Sequence, residues 1–263
     1  MSMALAPLAC LVACLVAASA HAATIAIDVG HYREKPGATS ARGRPEIEFN
    51  RDLVHDIEAA LRAAGHTTRT IGADGGMQSL WRRPRAAHGA DLFISVHHDS
   101  TQARYQSAWT YEGVEGRYSD RFAGFSAFVS RENPAWRGAL RCASAIGSAL
   151  VKAGFKPSLY HADPVLGENR PFADAANGVH YFDHLAVLRH AAMPALLFEA
   201  GVIVNRDEES RMRDGAVRQQ IAAGVASGVS ACLARDKRDA TGRAARIDTE
   251  EKSDGNSAEV YGK

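Results

Sequence analysis

The chain has 263 residues, 46% of them hydrophobic, and a formal net charge of only +1. That length allows one sizeable core, as in single-domain α/β enzymes. The near-neutral balance lacks the basic excess that a phosphate backbone demands, which argues against nucleic acid as a partner.

Met1 to Ala20 carry no charged side chain, and the run ends in Ala20-His21-Ala22. A short apolar segment followed by small-x-small predicts a secretory signal peptide over 1–22, although no Lys or Arg precedes it. The run is barely long enough to span a bilayer, so no stable membrane span is expected after processing. Leu11-Val12-Ala13-Cys14 also has the form of a lipoprotein cleavage box, a minor alternative for holding the chain at the cell envelope. Past residue 22 only Cys142 and Cys232 remain. In an oxidising compartment they either pair or lie apart as buried apolar residues, and both readings stay open.

Thr24 to Gly30 is a β-branched run closed by Gly and reads as a first buried strand. From Glu46 to Ala64 the apolar residues Phe49, Leu53, Ile57, Ala60, Leu61 and Ala64 keep helical spacing, and Gly65 supplies the stop. His66 to Ile71 predicts a second strand, Leu80 to His88 a short helix, and Asp91 to Val96 a strong buried strand. Ala108 to Tyr111 and Phe125 to Val129 read as strands or loop edges. Arg137 to Ala153 predicts a packed helix closed by Gly154, and Lys156 to Asn177, rich in Pro, Gly, Asn and Asp, a loop. Pro194 to Phe198 is a further buried strand, and Asp207 to Ala234 a long final helix weakened by Gly224 and Gly228. Residues 236–263 are charged and nearly free of apolar side chains, so a disordered tail is expected there. Strands alternating with helices imply an α/β fold with a single domain over 23–235, its mostly parallel twisted sheet flanked by helices on both faces.

Three segments at predicted strand ends carry chemistry: Asp28-Val29-Gly30-His31, Ser95-Val96-His97-His98-Asp99 and Phe198-Glu199-Ala200-Gly201. Ligands of open α/β sheets gather beyond the carboxyl ends of the strands, so the three can converge on one cleft. Two neutral imidazoles and a carboxylate suit a catalytic zinc ion (Zn2+) with one position left for water. Alternation along a strand sends His97 and His98 to opposite faces, so only one can point at a metal. Glu199 follows four apolar residues, where a carboxylate is costly unless a metal or a structural salt bridge needs it. On the first helix Glu46 shares a stripe with Asn50, Leu53 and Ile57, whereas Glu48 lies with Asp52 and His55 on a more polar face, which favours Glu46. Tyr105, Trp109, Tyr111, Tyr118, Phe122, Phe125 and Phe128 form either an aromatic rim for sugar or ordinary core.

With these residues in place the chain resembles the zinc-dependent N-acetylmuramoyl-L-alanine amidases of the amidase 3 family. The likeness rests on IDVGH (27–31), EIEFN (46–50), ADLFISVHHDS (90–100) and PALLFEAGVIVN (194–205), and it spans about Ile25 to Cys232. The resemblance implies that His31, Glu46 and His97 bind one zinc ion and that Glu199 is the catalytic base. The implied reaction is hydrolysis of the amide between N-acetylmuramic acid and L-alanine in peptidoglycan, in the periplasm or cell envelope. An activator protein is a further partner that the resemblance admits. Tyr32-Arg33 replaces the family's Gly-Gly, and Val202-Ile203-Val204 replaces Phe-Ile-Ser before Asn205, which bears on substrate preference more than on catalysis. In some relatives a helix blocks the zinc, and Arg137 to Ala153 is the segment that could do so here. Two other readings are a zinc carboxypeptidase or amidase cutting a different amide of the stem peptide, and a catalytically dead wall-binding regulator.

Overall fold

The computed structural model describes residues 22–234; the expected signal peptide up to residue 21, the Cys14 box and the expected charged tail over 236–263 lie outside the described residues. Strand β1 (Thr24–Val29) shows how the sheet is made. Alternate side chains leave opposite faces, so Ile25, Ile27 and Val29 enter one apolar cluster and Ala26 a second. Helix α1 (Glu46–Ala63) follows, with β2 (Thr67–Ile71), the short α2 (Arg82–Ala86) and β3 (Leu92–Asp99). Next come a hairpin of β4 (Ser107–Tyr111) and β5 (Val114–Tyr118), then β6 (Ser126–Val129) and α3 (Trp136–Lys152). The chain continues through β7 (Phe172–Asp174), β8 (Val179–Tyr181), α4 (Ala186–Arg189), β9 (Ala195–Val202) and α5 (Arg206–Arg213). A last helix, α6, covers 215–234.

Seven strands form one sheet in the order β2-β1-β3-β9-β6-β8-β7. β1 pairs parallel with β2 and β3, β3 with β9, and β6 with β8, while β6 against β9 and β7 against β8 are antiparallel. The larger core holds α1, α3 and α6 against one face through Leu53, Ile57, Cys142, Ile146, Val225 and Val229. The smaller core seals the other face with Phe93, Phe128, Leu197, Val187 and Leu188. This is the expected α/β domain with helices on both faces, and α3 is a core helix, not a plug over the site.

Three local expectations change. Strand β3 runs on past Val96 to Asp99, with a register shift between His97 and Asp99. The segment predicted as a loop over 156–177 contains β7, and the strands β5 and β8 are additions. The final helix breaks at Asp214, where ψ of 119° leaves the helical region. Gly224 and Gly228 do not break it. A Cβ at Gly228 would stand 2.4 Å from Ile146 Cα and one at Gly224 2.8 Å from Leu150 Cδ2, so both let α6 approach α3 closely. Across that contact Cys142 and Cys232 form a disulfide.

Phe125 and Phe128 are core residues. On the hairpin, Trp109 Nε1 donates to the Ala41 carbonyl at 2.8 Å, and the Arg206 guanidinium stacks 3.9 Å from the Tyr118 ring centre. Trp109 thus fastens the hairpin to the loop ahead of α1, and Tyr118 fastens it to the start of α5.

Candidate active site

The carboxyl ends of β1, β3 and β9 lie side by side, with Val29 opposite Val96 and His97 opposite Glu199. Just beyond β1 the chain turns sharply, and His31 adopts a φ of 71°. A left-handed non-glycine residue costs roughly 1–3 kcal/mol and needs surrounding structure to hold it. Arg83 supplies that hold. Its guanidinium, 1% exposed, donates to the His31 carbonyl, to the Val29 carbonyl at 2.6 Å and to Met77 O at 2.7 Å. Asp28 Oδ1 accepts from Arg83 at 2.6 Å, and Asp28 Oδ2 accepts from Ser95 Oγ at 2.7 Å. Nothing in the sequence marked Arg83, since its partners around β1 lie more than fifty positions upstream and it is one of three arginines in the short helix.

Glu46 stands in the first turn of α1, 4% exposed, between the two histidines. Its Oε2 is 2.9 Å from His31 Nε2 and its Oε1 is 3.0 Å from His97 Nδ1. One donor atom from each of His31, Glu46 and His97 falls within 4.8 Å of the others. Glycine makes this convergence sterically open. A Cβ at Gly30 would meet the His97 ring at 2.4 Å, and one at Gly37 would meet Glu46 Oε2 at 2.4 Å. Asn50, one turn along α1, donates to Glu46 Oε1 at 3.2 Å and to Gly30 O at 3.3 Å. Burial works against a charge on Glu46, but hydrogen bonds with His31 and His97 outweigh it and hold the carboxyl below the usual carboxylate range. Glu48 faces outward and pairs with Arg44 at 3.0 Å.

His98 takes the opposite face from His97. It is 1% exposed, its Nδ1 is 2.8 Å from Asn50 Oδ1, and burial pushes its pKa down to about 3. It is a neutral brace for Asn50. Glu199, on β9, keeps some exposed surface, yet its Oε2 is enclosed and has no hydrogen-bond partner. Burial first, then the charges of Asp99 and Glu46, raise its pKa well above the usual carboxylate value. The four expected residues are thus brought to one edge of the sheet, three with converging donor atoms and one carrying a free buried oxygen.

Behind them, Asn205 caps α5 by accepting from Asp207 N at 3.0 Å and Glu208 N at 3.1 Å. Glu209, fully buried, accepts from Ser40 Oγ at 2.8 Å and pairs with Arg42 at 2.7 Å. This ties α5, which follows β9, to the loop that leads into Glu46. The sequence reading also passed over His161, which pairs with Asp99 next to this site.

Comparison with known proteins gives the family and the fold. The profile of the N-acetylmuramoyl-L-alanine amidase family matches residues 25–231. The N-acetylmuramoyl-L-alanine amidases AmiA of Salmonella typhimurium and of Escherichia coli are each 26% identical over 216 residues, covering 78% of this chain and 74% of theirs. Among solved structures, the amidase Ami1 of Mycobacterium smegmatis superposes with a TM-score of 0.64 at 20% identity, over 81% of this chain and 97% of that one. The CwlD amidase of Clostridioides difficile, solved with the GerS lipoprotein, superposes with a TM-score of 0.59 at 16% identity, over 81% and 98%. At those identities the superpositions speak for the fold.

Proposed function

The chain belongs to the N-acetylmuramoyl-L-alanine amidase family, and from that membership and its site we propose zinc-dependent hydrolysis of the amide between N-acetylmuramic acid and L-alanine in peptidoglycan. The observation that carries the zinc is the convergence of His31, Glu46 and His97 on one small volume. Two imidazole nitrogens and one carboxylate oxygen are the donor set of hydrolytic zinc sites, and the unpartnered Glu199 oxygen beside them is the group such a site needs as a base. A bound ion supplies a Lewis acid for the scissile carbonyl and lowers the pKa of the attacking water.

The protein's own groups do the rest. Asn50 and the Ala38 amide hold the Glu46 carboxylate in place, the latter donating to Oε2 at 3.0 Å. Arg83 fixes the backbone that aims His31. Glu199 accepts the proton of the attacking water on its free oxygen and passes it to the nitrogen of L-alanine as that amine leaves. Burial and the neighbouring carboxylates raise its proton affinity, which suits a group that takes a proton from water and hands it to the amine.

Export belongs to the same proposal, with cleavage after Ala22 and a mature catalytic domain over 23–235 followed by the charged tail. The Cys142–Cys232 disulfide suits the oxidising periplasm or envelope, and among the described residues no helix is long and apolar enough to cross a membrane. A partner protein that activates the enzyme is part of this reading, as one structural relative is solved with a lipoprotein. Digestion of purified peptidoglycan tests the reaction: new alanine amino termini and free stem peptides are expected. Shortened peptides still attached to glycan would assign the site to a carboxypeptidase instead.

A further inference from the structure

Resting on the amidase reading, we propose that His161 is a positioning residue for Glu199. Through its ion pair with Asp99 it balances the second carboxylate beside the base. The topology brings His161 to the catalytic edge. β6 runs antiparallel to β9 and starts with Ser126 opposite Glu199. Just ahead of β6, Phe125 bridges to Pro157, and its carbonyl accepts from Ser158 N at 2.7 Å. The turn that follows, Tyr160–Ala162, is thereby anchored at that edge.

In this position His161 is 8% exposed and meets a carboxylate at each ring nitrogen. Nε2 is 2.7 Å from Asp99 Oδ2, and Nδ1 is 2.9 Å from Glu168 Oε2. Glu168 in turn pairs with Arg170 at 2.7 Å. The signs alternate from Asp99 through His161 and Glu168 to Arg170. Asp99 closes β3 two residues after His97, and its charge is the largest one acting on Glu199. Two enclosed carboxylates at neighbouring strand ends repel each other, and a cation paired with Asp99 offsets that repulsion.

The surroundings of His161 favour its charged form. Burial opposes it, but Asp99 and Glu168 outweigh burial and push its pKa up to about 9. Other elements present Phe128 from β6, edge-on at 4.7 Å, and the His180 ring from β8 at 5.9 Å; Tyr160 and Arg170 complete the shell from its own loop. The same loop is fastened to the segment after β3. Gln102 N donates to Tyr160 Oη at 2.7 Å, Gln102 Nε2 to Leu166 O at 3.0 Å, and Tyr105 Oη to Asp163 Oδ2 at 2.8 Å. These ties hold the loop independently of His161, so replacing the ring tests its charge.

The test compares the zinc-loaded wild type with His161→Gln and with the double variant Asp99→Asn/His161→Gln on purified peptidoglycan. His161→Gln is expected to lower kcat by about tenfold with KM changed by less than about threefold. Its zinc content should equal that of the wild type, and the double variant should recover part of the loss because both charges are gone. Independently of activity, NMR titration of the metal-free wild type should show the His161 ring losing its proton near 9, not near the ordinary value of 6.5. A wild type without amidase activity overturns the amidase reading and this proposal with it. An active wild type sinks the proposal alone if His161→Gln keeps its kcat, if KM rises alone, or if the ring titrates at or below its ordinary value.

Discussion

On one side of the sheet β2, β1, β3 and β9 run parallel, and β1 keeps five consecutive paired positions with each neighbour. On the other side β6 has four residues and β7 and β8 three each, and pairing changes direction twice. The long half sets its side chains by backbone register, with His97 opposite Glu199 and α1 laid across β1 and β3. The short half is held by side chains instead. Asn133 Nδ2 donates to the carbonyls of Leu188, Ala191 and Met193, Arg131 pairs with Asp183, and His161 pairs with Asp99. Groups that must be placed to tenths of an ångström therefore lie on the regular half. The irregular half contributes charge, wall and stability, where small displacements are tolerated.

The sharpest way to break that division is to change the regular half at one atom. Glu199→Gln keeps the shape of the carboxyl but removes the proton acceptor, so amide hydrolysis should fall by about a thousandfold or more while bound zinc is retained. Stem-peptide release and metal content measured on the same preparation check it; a variant that still digests wall would move the base elsewhere. Gly30→Ala is gentler in chemistry but acts on the same half. Its new methyl would need the space of the His97 ring, 2.4 Å away, so zinc affinity should drop by about 10–100-fold, read by competition with a chelator. Unchanged affinity would mean that His97 is not held as tightly as the register implies.

The same division explains what could be read beforehand. β1, α1, β3 and β9 carry strong local patterns, and strand alternation separated His97 from His98 before any coordinates existed. The helical stripe likewise chose Glu46 over Glu48, which turns outward to Arg44. A three-residue strand such as β7 or β8 has no room for a period, so its pairing depends on neighbours far along the chain. Arg83 reaches His31 and His161 reaches Asp99 across 52 and 62 positions, beyond any local window. The break at Asp214 has no proline to mark it, and Met212 before it and Ile221 after it enter one core.

Removing the disulfide acts in the same helical layer as α1, but on two other helices. Cys142 and Cys232 join α3 to α6 across a sequence separation of 90, and neither helix supplies a residue to the site. Replacing both by Ala should cost about 2–4 kcal/mol of stability by releasing the unfolded chain, with kcat per folded molecule unchanged. Thermal unfolding of the variant, and of the wild type with and without reductant, measures the loss. A fall in kcat of the folded variant would show that the helix layer does reach the site.

The smallest effect lies in the irregular half and depends on pH. His161 has a folded pKa of about 9, raised above the ordinary 6.5 of an unfolded chain. A raised pKa means that the folded state binds the proton more tightly. The resulting stability is fully present below about 6.5 and disappears as pH climbs through 9. Its size is at most about 3 kcal/mol, because each pKa unit corresponds to about 1.4 kcal/mol. Tyrosines and lysines also titrate near the upper end, so the useful quantity is the wild type minus His161→Gln. That difference in unfolding free energy, from denaturant melts at intervals between pH 6 and 10, should be largest at the acid end and shrink steadily towards pH 10. A difference that stays flat across the range would leave His161 neutral in the folded protein, and the alternating charges beside Glu199 would lose their positive member.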